Sequence, residues 1–75
     1  MRRLERQIAA VWREVLGVAE VGVHDNFFDL GGQSLLLVRV QARLAKALNR
    51  EIPMLELFRR PTIHALAAYL SQQSP

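Results

Sequence analysis

From Leu4 onward the apolar residues Leu4, Ile8, Val11, Trp12, Val15 and Leu16 recur at i, i+4, i+7, i+8, i+11 and i+12, the spacing that lines one face of an α-helix. This period predicts a first helix that ends at Gly17, a residue suited to a left-handed C-cap. A second periodic segment starts at Ser34, a preferred helix-start and N-cap residue, and runs to Leu48, with Asn49 placed to end it. At about 100° per residue, Leu36, Leu37, Val40, Leu44, Ala47 and Leu48 share its core face. Pro53 and Pro61 confine residues 54–58 to a turn or two of helix, and Thr62 can cap a last helix carrying Ile63, Leu66, Ala67 and Leu70. No strand pattern competes. The predicted fold is all-α, a four-helix bundle of three longer helices and one short one.

A chain of 75 residues supports one core. The expectation is therefore a single domain over 1–75, with a helical core at about 4–70 and the polar tail 71–75 as a linker. With no cysteine the chain has no disulfide, thiol nucleophile or thiolate zinc site, and His24 and His64 lie far apart without metal-ligand spacing. A hydrophobic share of 51% against 23% charged describes a folding globular chain. The longest apolar run, residues 35–38, falls far short of the roughly 20 residues of a spanning helix, and no signal-peptide pattern opens the chain. A soluble, cytoplasmic, monomeric domain with no membrane partner is expected.

The net charge of +3 invites a nucleic-acid reading, but its distribution is uneven. Residues 1–16 carry +2, residues 17–33 carry −3, residues 34–50 carry +4 with no acid, and residues 51–75 are neutral. Arg39, Arg43, Lys46 and Arg50 form a stripe toward the end of the second helix, where cations suit the helix dipole, and read as a solvated face. A DNA-reading helix uses polar residues near its N-terminus, whereas this one offers Leu35, Leu36 and Leu37. No nucleic acid is expected as a partner, and a small basic DNA-binding or scaffold module is the alternative from a different class.

Residues 17–33 hold all four glycines and no sustained period. Unstructured connections above about 12–15 residues are often functional when ordered. Within this loop, Gly31, Gly32 and Gln33 lead directly into Ser34. Glycines let a foreign surface approach the backbone, and a helix N-terminus offers unpaired amides and positive potential to an anion on the serine oxygen. Ser34 is therefore placed to carry a phosphate, or else serves only as an N-cap. A serine hydrolase reading fails because position 36 is Leu36 rather than glycine, and one loop with His24, Asp25 and Asp29 does not readily supply a triad, an oxyanion hole and a pocket. Leu35, Val38, Ala42 and Ala45 form a second apolar strip beyond the core face, which places Leu35 and Val38 near the surface on a face distinct from the basic stripe. Trp12, Tyr69, Phe27 and Phe28 read as core or loop-anchoring residues.

The run Asp25, Asn26, Phe27, Phe28, Asp29, Leu30, Gly31, Gly32, Gln33, Ser34, Leu35, Leu36 closely resembles the core motif of peptidyl carrier (thiolation) domains of nonribosomal peptide synthetases. Trp12, Leu16-Gly17, Leu57-Phe58, Pro61-Thr62-Ile63 and Leu66-Ala67 extend the resemblance over about residues 4–70. The resemblance implies an acyl-carrier-like bundle that is not an enzyme. Ser34 would receive 4'-phosphopantetheine from coenzyme A through a phosphopantetheinyl transferase, with Gly31, Gly32 and Gln33 as the approach loop. The thiol is then the cofactor's, which accords with a cysteine-free chain. An adenylation domain would load an aminoacyl or peptidyl thioester, and condensation or thioesterase domains would remove it. Phe28, Leu30, Leu35 and Val38 become the expected partner interface. Gln33 stands where the family more often shows His or Asp, and Arg59 where an acid is common. The alternative within the class is a polyketide-type acyl carrier, whose motif typically has Asp before the serine and lacks the paired glycines.

Overall fold

The computed structural model describes residues 2–73. Four helices are present among them: α1 (Arg3–Leu16), α2 (Ser34–Leu48), α3 (Met54–Arg59) and α4 (Ile63–Gln72). The only extended pairing described is a single bridge between Asn26 and Thr62. No helix among the described residues is long and apolar enough to cross a membrane.

The helix ends follow local chemistry. Gly17 adopts φ 69° and its amide donates to the Arg13 carbonyl at 2.9 Å, the left-handed cap that satisfies a terminal acceptor. Asn49 ends α2 in the same conformation, at φ 53°. At the start of α1 the Glu5 carboxylate accepts from the Arg2 amide at 3.0 Å, the acidic half of a capping box. Thr62 caps α4 by accepting from the Ala65 amide at 3.2 Å. The next orphan donor of α4 is used tertiarily: the His64 amide donates to the Val23 carbonyl at 2.9 Å. The α1–α2 loop is thereby strapped across the N-terminus of α4, and the Phe27 amide completes the strap on the Pro61 carbonyl at 2.7 Å.

Ile8, Ala9 and Trp12 from α1, Leu37, Val40 and Leu44 from α2, Leu57 from α3, and Ile63, Leu66, Ala67 and Leu70 from α4 close the core. The loops contribute Val21, Phe27 and Ile52. Trp12 meets the Phe27 ring edge-on, with centroids 5.0 Å apart. Such a pair adds about 0.5–1.5 kcal/mol beyond the area it buries. The far end is tied by the Arg50 guanidinium, which donates to the Leu70 carbonyl at 2.8 Å, and by Gln41, which donates to the Ile52 carbonyl at 2.7 Å.

Five expectations change. Ala47, assigned to the core face, is exposed, because it sits at the α1-facing edge of α2 beside Val11, Glu14 and Arg43. Ser34 is not the N-cap: Gln33 is, with extended backbone and its carbonyl already accepting from the Leu37 amide at 3.0 Å. The last helix continues past Leu70 to Gln72, with Gln73 as its C-cap, so the tail assigned to 71–75 is partly helical. Its remaining positions, Ser74 and Pro75, lie outside the described residues. Arg50 leaves the solvated stripe for the Leu70 carbonyl. His24 and His64, distant in sequence, bring their rings to 4.9 Å, although no group of three or more metal-ligating side chains forms among the described residues.

Gly32 has no room for a side chain: an added Cβ would lie 2.3 Å from the Phe27 ring. Gly32→Ala is expected to destabilise the fold by about 1–3 kcal/mol through overpacking, more than Gly17→Ala, where only the positive φ resists substitution. Thermal denaturation of both variants checks this order.

The Arg2 amide first, joined by the nearby His64 ring and opposed by desolvation, holds the Glu5 carboxyl below its usual range. A depressed carboxylate contributes stability above its unfolded pKa and loses it as pH falls through the folded value. Glu5→Gln is therefore expected to be less stable than the wild type at neutral pH and equal to it at low pH. Denaturant midpoints across pH 7 to about 2 measure the convergence.

Candidate functional site

The residues leading into α2 form a compact knot around Phe27. Asn26 Oδ1 accepts from the Phe28 amide at 2.9 Å and the Asn26 carbonyl from the Leu30 amide at 3.2 Å, which turns the chain as Asn side chains do in turns. The Gly31 amide donates to the Phe28 carbonyl at 3.2 Å, with φ 94° at Gly31, a conformation that favours glycine. The Gly32 amide then donates to the Phe27 carbonyl at 3.0 Å, and its bare Cα lies against the buried Phe27 ring. The two glycines thus act differently: one permits the turn, the other the close approach.

This knot delivers Gln33 and Ser34, both exposed, to the first positions of α2. No side chain caps the helix. The amides of Ser34, Leu35 and Leu36 precede the first intrahelical bond, that of Leu37, and such unpaired donors with the helix dipole favour an anion at this end. Two of the three groups considered for a hydrolase are engaged elsewhere, and Asp29 is exposed on the loop. The His24 ring lies against His64, and Asp25 Oδ2 accepts from the Gly22 amide at 2.8 Å. The serine hydroxyl is accessible but has no general base beside it among the described hydrogen bonds.

An exposed serine at a helix N-terminus, approached over two residues without side chains, fits attachment of a phosphodiester. It does not fit a substrate cavity. The groove between α2 and the α2–α3 connection, about 380 Å³, is lined by Gln41, Ala42, Ala45, Glu51, Ile52 and Pro53 and by none of residues 31–34.

Of the four interface candidates, three present apolar surface: Leu35 is 67% exposed, Val38 48%, and Phe28 is also exposed. Leu30 is half-buried against the core and offers the least. Two further residues join them. On α3, Leu55 is 57% and Phe58 41% exposed, and the Phe58 ring stacks on Phe28 with centroids 6.2 Å apart. The pattern of residues 54–58 contained a signal for them, since a six-residue helix with Leu57 buried and Met54 packed against the core turns Leu55 and Phe58 outward.

Residues 6–70 match the family described as the phosphopantetheine attachment site. The chain is 46% identical over 69 residues to tyrocidine synthase 3 of Brevibacillus parabrevis, an alignment covering 92% of this chain and 1% of that protein. Among solved structures it is similar to McyG A-PCP complexed with phenylalanyl-adenylate, with 51% identity, TM-score 0.89, and coverage of 93% of this chain and 11% of that one. It is also similar to the peptidyl carrier protein in the complex of the phosphopantetheine transferase Sfp with coenzyme A, with 38% identity, TM-score 0.91, and coverage of 97% of this chain and 95% of that one. The all-helical architecture is thus shared with acyl-carrier-like peptidyl carrier proteins. The matched span begins in the first turns of α1, includes the whole Phe27–Ser34 knot and ends in α4, and the chain belongs to the phosphopantetheine attachment site family.

Proposed function

We propose that this chain is a peptidyl carrier domain, phosphopantetheinylated on Ser34, that passes aminoacyl or peptidyl thioesters among the domains of a nonribosomal peptide synthetase. The single observation that carries the reading is the exposed Ser34 at the first position of α2, delivered by a glycine pair of which one member cannot carry a side chain. The Ser34 hydroxyl oxygen would attack a phosphorus of coenzyme A while the pyrophosphate bond breaks and the nucleotide leaves. The transferase supplies the base and takes the proton, in keeping with a serine that has none beside it. When attached, the group supplies the thiol on which cargo is held.

Gly31 and Gly32 leave the approach to Ser34 open, and Gln33 borders it. The apolar patch of Phe28, Leu35, Val38, Leu55 and Phe58, with Leu30 beneath it, is the surface offered in turn to a phosphopantetheinyl transferase, an adenylation domain, and condensation or thioesterase domains. Similarity to carriers seen with a transferase and with an adenylation domain supports the first two of these partners. Such transient docking suits a modest patch rather than a deep pocket, and tethering replaces diffusion with a high effective concentration. The chain spans only 1% of the length of the synthase it resembles, so a place in a longer cytoplasmic assembly belongs to this proposal, as does the assignment of residues 1–75 to one carrier unit.

Incubation with coenzyme A and a promiscuous phosphopantetheinyl transferase is expected to raise the intact mass by one phosphopantetheine, and Ser34→Ala to abolish the increase. An unchanged wild-type mass under conditions that load a control carrier would overturn the reading.

Val38→Asp places a charge in the exposed patch at a position that is itself outside the buried core. It is expected to slow loading by the adenylation domain about tenfold while leaving circular dichroism at the wild-type value, because desolvating a lone carboxylate in an apolar contact costs at least 1–2 kcal/mol. Loading at the wild-type rate with every partner tested would remove Val38 from the interface.

A further inference from the structure

Leu35, Arg39, Ala42 and Lys46 recur at i, i+4, i+7 and i+11 of α2 and are all exposed. Residues at this spacing share one face. The basic stripe, read from sequence as a face apart from the apolar strip, therefore borders it: Arg39 stands one turn from Leu35, about 40° around the helix. The cations of the stripe differ in what holds them. Arg50 is bound to the Leu70 carbonyl and Arg43 pairs with Glu14 on α1. Arg39 and Lys46 form no ion pair among the described residues. On α3, next to Phe58, the Arg59 side chain is 64% exposed and approaches Glu56 only to 3.8 Å, while Arg60 holds the same carboxylate at 2.8 Å. No acid lies on α2 to offset these charges.

From this arrangement we infer that the partner docking face is an apolar surface with an acidic rim, matched to Arg39 and Lys46 on α2 and Arg59 on α3. The occupant is a catalytic domain of the synthetase, so the inference rests on the carrier reading. The interleaving of Leu35 and Ala42 with the cations favours such a face over a nucleic-acid backbone, which would be met by an unbroken row of cations. Exposed ion pairs add little affinity individually. Rim charges act instead on encounter and orientation, and their effect decays over a Debye length of about 8 Å at physiological salt.

The test uses the phosphopantetheinylated 75-residue chain with the adenylation domain that loads it fastest. Loading is followed by intact mass at about 20 and about 300 mM NaCl, either side of physiological screening. The double variant Arg39→Glu with Lys46→Glu is compared with Arg39→Gln with Lys46→Gln. Added salt is expected to lower wild-type kcat/KM about tenfold, the charge reversal to lower it about tenfold at low salt through KM, and the neutral variant to lie between. The salt dependence should vanish in the reversed protein. Loading by the reversed protein within twofold of wild type at low salt, or an equal loss at every salt concentration, would overturn the inference. So would retardation of duplex DNA that the reversal abolishes without any change in loading. A chain that gains no phosphopantetheine mass overturns the carrier reading itself, and that result is visible before any adenylation domain is added.

Discussion

The contact between the Phe27 ring and the bare backbone of Gly32 holds the molecule together functionally. Phe27 is completely buried, meets Trp12 of α1 edge-on, and ties its own amide to Pro61 just before α4. One residue thereby connects α1, the loop and the start of α4. Gly32 folds back on it, through ring contact and an amide to carbonyl bond, and so determines where α2 begins and which way Ser34 faces. Truncating an aromatic group this buried costs about 3–5 kcal/mol, a large part of the stability of a domain this small. The position of the serine is thus paid for by the core itself.

That coupling explains how a long glycine-bearing loop remains ordered without regular structure. Backbone donors and acceptors along it are taken by Asn26, Phe27, Phe28 and Val23 within the loop and by Pro61 and His64 at the entry to α4. Burial of Val21 and Phe27 supplies the apolar part. The loop is a hydrogen-bonded support for Ser34, which suits the carrier reading, in which several partners find the serine in the same place. The free amides of the first turn of α2 sit at the one end of that helix where an anion is favoured.

Function is carried here by what the core leaves over. The apolar side chains of α2 and α3 that the core does not take up, Leu35, Val38, Leu55 and Phe58, are exposed beside cations on the same helices. Two of the side chains that might have made Ser34 a nucleophile in its own right are turned to other work: Asp25 closes a turn and His24 packs on His64. On the carrier reading the chemistry is left to partners, and the domain supplies position, reach and recognition.

The period of Leu4 to Leu16, the glycine and asparagine that end α1 and α2, the prolines around α3 and the Thr62 cap were legible because helix formation and termination are local, set within a turn or two of the chain. The exposure of Leu35 and Val38 followed from the same period, as did the place of Ser34 at the start of α2. Ala47 and the cap at Gln33 were misjudged because which edge of a face is covered, and which residue leaves helical geometry first, depend on α1 and on Phe27, neither of which the local pattern contains. The meeting of His24 with His64, the strap from Phe27 to Pro61, the capture of Arg50 by Leu70 and the stacking of Phe28 on Phe58 join residues up to about forty positions apart. Sequence alone determined the four helices, the caps at Gly17, Asn49 and Thr62, and the serine that the first turn of α2 presents. Only the tertiary structure decided which loop atoms press on which helix, because those contacts are selected by close packing of distant segments rather than by any periodicity in the chain.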